Sequence, residues 1–159
     1  EAQLDRFLFN VVVDYLPEDD EVAVVKRTTS AKPQAIDAVF TGEEVLGLQE
    51  LVRQVPIAED VVRYAVQIAG ASRPGQSQTP DFITNWISWG AGLRAAQAMV
   101  IGAKARALWH GRAHVTPEDI RQLALPVLRH RILINYRAEA EGITVDKIVG
   151  RLLETVKGP

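Results

Sequence analysis

Apolar positions recur along this chain with more than one period, and the change falls near residue 40. Residues 8–13 (LFNVVV) form a short, β-branched apolar run whose length predicts a buried strand. Pro17, the acids Glu18, Asp19, Asp20 and Glu21, then Val22, Val24 and Val25 before Lys26 and Arg27 predict a short helix. Its charges match the helix macrodipole, acids at the start and bases at the end. Residues 28–37 read as a linker.

Helical spacing follows. Thr41 and Glu44 have the spacing of a capping box and open a helix expected to bury Val45, Leu48 and Val52, with Gly47 weakening it and Pro56 ending it. A second helix from about Ala58 places Val61, Ala65, Ile68 and Ala69 on one face. Residues 70–80 (GASRPGQSQTP) have loop composition. Residues 82–89 (FITNWISW) are apolar and β-prone, and Gly90-Ala91-Gly92 breaks the run before an alanine-rich helix over 93–109. Thr116, Pro117, Glu118 and Asp119 supply a cap, a first-turn proline and acids for another helix, with Ile120, Leu123, Ala124, Val127 and Leu128 on its apolar face. Residues 132–135 are expected as a short strand beside 82–89. Thr144 caps a last helix, with Val145, Ile148, Val149, Leu152, Leu153 and Val156 in helical register. The expected architecture is mainly α: a strand–helix unit followed by a bundle of about five helices.

The chain has 159 residues, enough for one domain or one domain plus a fragment. An apolar fraction of 47% and a charged fraction of 24% are those of an ordinary globular protein and exclude a disordered chain. With no cysteine there is no disulfide, thiolate metal site or cysteine nucleophile, which fits a reducing compartment and sets cytoplasmic location as the expectation. No apolar run approaches the ~18–20 residues of a membrane span, so no membrane partner is expected. The net charge of −2 gives the molecule no general pull toward nucleic acid. Met99 is the sole methionine and the sequence opens at Glu1, so it reads as a piece of a longer chain.

Several residues invite chemistry. Residues 90–95 (GAGLRA) fit a G-x-G-x-x-A dinucleotide fingerprint, but a helix follows where that unit needs a parallel strand ending in an acid. Arg94 falls in the first turn of its helix, where the macrodipole is positive and N–H groups lack partners. A cation there calls for an anion nearby, and a phosphate would answer both the arginine and the free N–H groups. The alternative is an arginine lying solvated over the bundle surface. His110 and His114 have i, i+4 spacing, yet no carboxylate completes a site, so no metal is expected. Residues 104–137 hold seven lysines and arginines against two acids, and residues 1–21 hold seven acids against one arginine. An asymmetry of that kind points to two faces that meet. Without exposed aromatics or a recognition helix, nucleic acid is not the expected partner. The sequence contains no Ser/His/Asp arrangement, phosphate loop or magnesium-binding motif, so taken alone it is not expected to be a complete enzyme.

Three stretches resemble one family, the MoxR branch of the AAA+ ATPases: residues 1–7 (EAQLDRF), residues 90–95, and residues 111–142 with VTPEDI, PVLRHRI and NYRAEAEG. One departure stands at Leu93, where members usually carry proline before the arginine. The resemblance implies that residues 1–37 are the C-terminal remnant of the αβα nucleotide-binding domain. Residues 38–159 would then be the helical lid domain. It implies an intact parent that binds ATP and magnesium, hydrolyses ATP, and forms a homo-oligomeric ring, expected to be a hexamer. Such members remodel partner proteins in a chaperone-like way, often ones with von Willebrand factor A domains. It casts Arg94 as the sensor 2 residue contacting ATP phosphates, and Arg6 as an arginine finger acting in trans. By itself the present chain is expected to be inactive and to bind no cofactor. The competing expectation is a stand-alone helical module that binds protein or nucleic acid without nucleotide.

Overall fold

The computed structural model describes residues 3–30, 36–76 and 79–159. Glu1 and Ala2, the middle of the expected linker and residues 77–78 of the expected loop lie outside the described residues.

After one 3-10 turn, Leu4–Arg6, the elements are α1 (Glu18–Thr28), α2 (Gly42–Gln54), α3 (Glu59–Ala71), α4 (Asp81–Trp86), β1 (Ile87–Trp89), α5 (Leu93–Trp109), α6 (Pro117–Leu128), β2 (Leu133–Ile134), α7 (Tyr136–Ala140) and α8 (Val145–Thr155). The fold is mainly α, as expected. Its core is built on α5, which packs against α2, α3 and α6, while α8 closes onto α3 and α6. Ala95, Ala96, Ala103 and Ala107 are buried along α5 with Met99, so small side chains bring the neighbouring helices close. From those neighbours Tyr64, Ile68, Ile120, Val127, Leu128, Ile148 and Leu152 fill the centre, each fully buried. Burying a residue of this kind contributes about 1.5–3 kcal/mol.

The local signals operate as read. Thr41 Oγ1 accepts from the Glu44 N–H at 3.2 Å, and Glu44 Oε2 accepts from the Thr41 N–H at 2.7 Å, closing the capping box. Thr144 Oγ1 accepts from the Lys147 N–H at 3.3 Å at the start of α8. β1 and β2 pair antiparallel with Ile87 opposite Ile134.

Three expectations are corrected, and one helix is added. Residues 8–13 form no strand: the only pairing among the described residues is β1 with β2, and Val13 is 87% exposed. A strand needs a partner ladder, and here the Asn10 N–H donates instead to the Pro126 carbonyl at 2.8 Å. The α2 face is not buried, since Val45 and Leu48 stay exposed and only Val52 is half-buried. Its cap is a local device and forms whether or not a neighbour covers the face. Residues 82–89 divide into α4 and β1, with Phe82 and Ile83 buried from the helix. Residues 136–140, not expected as helix, form α7, started by the Asn135 side chain accepting from the Ala138 N–H at 3.0 Å.

One glycine is required by close approach. A Cβ on Gly90 would lie 2.6 Å from Arg73 Cα and closer still to the Ser72 carbonyl oxygen. Backbone cannot swing aside as a side chain can, so Gly90→Ala should lower stability by about 1–3 kcal/mol. Gly47→Ala, in open space on α2, should instead raise it by up to ~1 kcal/mol. Urea midpoints of the two variants check both signs.

Candidate functional site

The turn ahead of α5 is fixed by the end of α3. Ser72 Oγ donates to the Ala69 carbonyl at 2.7 Å and accepts from the Ala91 N–H at 2.9 Å. Arg73 Nε donates to the Ala91 carbonyl at 2.8 Å. These bonds aim the start of α5, where Gly92 is the N-cap and no side chain among the described residues caps the helix. Arg94 therefore emerges beside uncapped N–H groups, as its sequence position implies.

The anion that Arg94 calls for comes from the chain itself. Arg94 Nη1 donates to Asp5 Oδ2 at 3.0 Å, with the arginine side chain 56% exposed. The other Asp5 oxygen, Oδ1, accepts from Arg131 Nε at 3.1 Å. Partial burial pushes the Asp5 pKa up, but hydrogen bonds and charge from Arg94 and Arg131 outweigh it and hold the carboxyl below its ordinary value. Asp5 is thus ionised at neutral pH and shared by two guanidinium groups.

Arg131 differs from Arg94 in every respect that matters for a ligand. Its side chain is 3% exposed. It donates to the carbonyls of Asp5 at 2.9 Å, Phe7 at 2.6 Å, Leu8 at 3.3 Å and Val127 at 2.6 Å. His130 lies alongside, with Nε2 3.2 Å from the Phe7 carbonyl oxygen. A carbonyl only accepts, so Nε2 carries the proton, and Nδ1 is buried without a partner among the described residues. Burial and the Arg131 charge depress the His130 pKa below its ordinary value, which keeps the ring neutral at pH 7.

A cleft of about 720 Å³ opens between the N-terminal segment and the two-stranded sheet, lined by Leu4, Asp5, Ser88, Trp89, Gly90, Gly92, His130, Arg131 and Leu133. Trp89 is 70% exposed at its wall. The Asp5–Arg94 pair stands beside this cleft, next to the Gly90–Gly92 turn. Arg6 does not line the cleft: the residue is exposed, and its side chain has no hydrogen-bond or ion-pair partner among the described residues. Arg6 and Arg94 are therefore not brought into one site, although Asp5, adjacent to Arg6 in the chain, pairs with Arg94.

Among the described residues, the expected meeting of acidic and basic stretches is realised at Asp5 alone. The acids of α1 make no ion pair among the described residues, and Arg129 pairs with Asp146 of α8 at 2.7 Å. His110 and His114 both fall in the loop after α5, so their helical spacing is not realised. No group of three His, Asp or Glu among the described residues could hold a metal, and no helix is long and apolar enough to cross a membrane.

Sequence reasoning missed three residues. Asp5 and Arg131 are joined only by the tertiary fold. Asp119, expected as a helix-start acid, is fully buried, and its carboxylate accepts from Arg106, Arg112, and the Thr116 N–H and hydroxyl. The available signal for Arg131 was a cluster of bases, residues 129–131, at the negative end of α6.

Comparison with known proteins follows the same lines. Residues 85–152 match the AAA lid domain family. Over its whole length the chain is 33% identical to Chaperone MoxR1 of Mycobacterium tuberculosis, of which it spans 42%. It is 32% identical to the uncharacterized protein YeaC of Bacillus subtilis, of which it spans 47%. The crystal structure of a candidate ATPase from Cytophaga hutchinsonii superposes with a TM-score of 0.91 at 31% identity, covering 99% of this chain and 48% of that one. The chain therefore spans a little under half the length of these relatives.

Proposed function

We propose that this chain, which matches the AAA lid domain family over residues 85–152 and is similar along its whole length to a MoxR chaperone, is the lid-bearing part of an ATP-hydrolysing AAA+ protein. In this reading residues 1–37 close the αβα nucleotide-binding domain and residues 38–159 are the lid. The parent assembles into a homo-oligomeric ring and couples ATP hydrolysis to remodelling of partner proteins, with von Willebrand factor A domain proteins as candidate clients.

The carrying observation is Arg94: a half-exposed guanidinium at an uncapped helix start, beside a cleft, held by one carboxylate. That donor set fits one side of a phosphate chain. An exposed ion pair is worth about 0–1 kcal/mol, so a polyanionic phosphate can displace Asp5 at small cost. Lid position then depends on whether the terminal phosphate is present. ATP itself supplies the transferable phosphoryl group, and magnesium is assigned to ligands outside this chain.

The full-length parent should show magnesium-dependent ATP turnover, and the present chain alone should show none. Arg94→Ala in the parent should weaken the link between nucleotide and lid while the lid stays folded. Wild-type nucleotide affinity and turnover in that variant would remove Arg94 from the mechanism.

A further inference from the structure

The last carbonyls of a helix have no partner within it, and at the end of α6 each finds one elsewhere. The Leu125 carbonyl accepts from the Arg129 N–H at 3.0 Å, and the Leu128 carbonyl from the Arg131 and Ile132 N–H groups at 2.9 and 3.1 Å. The other two are answered from outside the backbone of α6. Pro126 accepts from the Asn10 N–H at 2.8 Å, and Val127 from Arg131 Nη1 at 2.6 Å. Asn10, at the end of the N-terminal segment, is thus part of the C-terminal cap of α6.

Arg131 makes that docking specific. A guanidinium has five N–H donors, and here Nε takes Asp5 Oδ1, Nη1 takes the Val127 and Leu8 carbonyls, and Nη2 takes the Asp5 and Phe7 carbonyls. With its donors committed and its side chain buried, Arg131 has nothing left for a ligand. Its carbonyl partners at residues 5, 7 and 8 bracket Arg6 on both sides. His130 adds a bond to Phe7, and Arg129 Nη1 one to the Asn10 carbonyl at 3.3 Å. Phe9 packs against the core beside α5, close enough that a Cβ on Gly102 would sit 2.8 Å from its ring.

We infer that Arg131 is a positioning residue that pins the segment carrying Arg6 against the end of α6, so that the backbone on both sides of Arg6 is held in one place. On the finger role that the MoxR resemblance implies for Arg6, this anchor fixes where the arginine is offered to the neighbouring subunit. Lysine cannot replace this guanidinium, because three donors at a point cannot span carbonyls at four positions and a carboxylate.

The chain has no cysteine, so Arg6→Cys and Glu154→Cys place one spin label on the segment and one on α8 without background. The expected distance distribution is single and narrow, broad in Arg131→Lys and in Asp5→Ala, and still narrow in Arg94→Ala. Each variant is read with its helical circular dichroism intact. A narrow distribution that persists in both Arg131→Lys and Asp5→Ala overturns the anchor. In the full-length parent, Arg131→Lys should reduce turnover about 10- to 100-fold, the scale of a small misplacement of a catalytic group. Mixing with hydrolysis-dead subunits that keep Arg6 should restore it. Wild-type turnover in Arg131→Lys, where Arg6→Ala is impaired, overturns the positioning role. Wild-type turnover in Arg6→Ala with the labels behaving as expected strikes the finger reading instead and leaves the anchor standing.

Discussion

Arg6→Ala in the full-length parent is expected to cut ATP turnover by about 10³-fold or more, the scale on which arginine fingers act. The charge of a guanidinium spreads over the transferring phosphoryl group only if the side chain is free to reach it. The competing role is local: Arg6 could pair with a nearby acid and steady its own segment, contributing about 0–1 kcal/mol. The structure weakens that role, because both oxygens of the adjacent Asp5 are already occupied by Arg94 and Arg131. Phe7 and Leu8 are held through their carbonyls, so the backbone beside Arg6 is fixed while its side chain is exposed. Arg6→Ala subunits should fail to stimulate their neighbours. They should regain turnover in their own sites when mixed with hydrolysis-deficient subunits that retain Arg6. Failure of that rescue with assembly intact would end the finger assignment.

The largest effect on stability is expected at Asp119. Its carboxylate is fully buried, with Arg112 Nη2 at 2.6 Å and Nη1 at 2.7 Å and the Thr116 N–H at 2.8 Å. Arg106 completes the set. Breaking a buried pair by removing one partner costs about 3–5 kcal/mol, and the partial exposure of the two arginines, which lets water reach them, places Asp119→Ala near the lower figure. Burial by itself pushes the Asp119 pKa up. The hydrogen bonds from Arg112, Thr116 and Arg106 outweigh it and hold the carboxyl far below its ordinary value. A depressed folded-state pKa gives stability that is complete above the unfolded value, near 3.9, and is lost as the pH falls below it. Wild-type protein should therefore lose urea resistance between about pH 4 and lower values, and Asp119→Asn should lose less over the same range. Equal acid sensitivity of the two would assign the loss to other carboxylates.

What the sequence made legible follows the range of the interaction. Thr41 with Glu44, Thr116 with Pro117, and Thr144 are start signals within one turn, and helices begin at each. The apolar register of α8 buries Ile148, Val149 and Leu152 because one stripe faces one neighbour. Residues 8–13 misled because a strand is defined by its partner, and an apolar run does not say whether one is present. Val45 and Leu48 misled for the same reason, being amphipathic toward a face that nothing in the described residues covers. Residues 82–89 were ambiguous by nature: Phe82 and Ile83 suit a buried helix face as well as a strand.

At the site, the helix-start argument located Arg94 and required an anion, but it could not name Asp5, 89 residues away. Arg131 was one base in a cluster of three, and only the tertiary fold shows that it is buried and fully bonded while Arg129 lies half-buried against Asp146. Asp119 looked like any first-turn acid because its two arginines arrive from α5 and the loop after it.

The cleft also has a consequence for spectroscopy. The chain has three tryptophans, and they lie in different optical environments. Trp109 is 89% exposed at the end of α5, away from the cleft, and should emit at long wavelength whatever happens there. Trp86 donates its indole N–H to Glu141 at 3.0 Å and stacks under Arg151, a charged surrounding suited to quenching. Trp89 alone forms part of the cleft wall. With phenylalanine at positions 86 and 109, the remaining indole becomes a native dye on the surface where the N-terminal segment meets the lid, and its emission maximum tracks the water content of that junction without any added label.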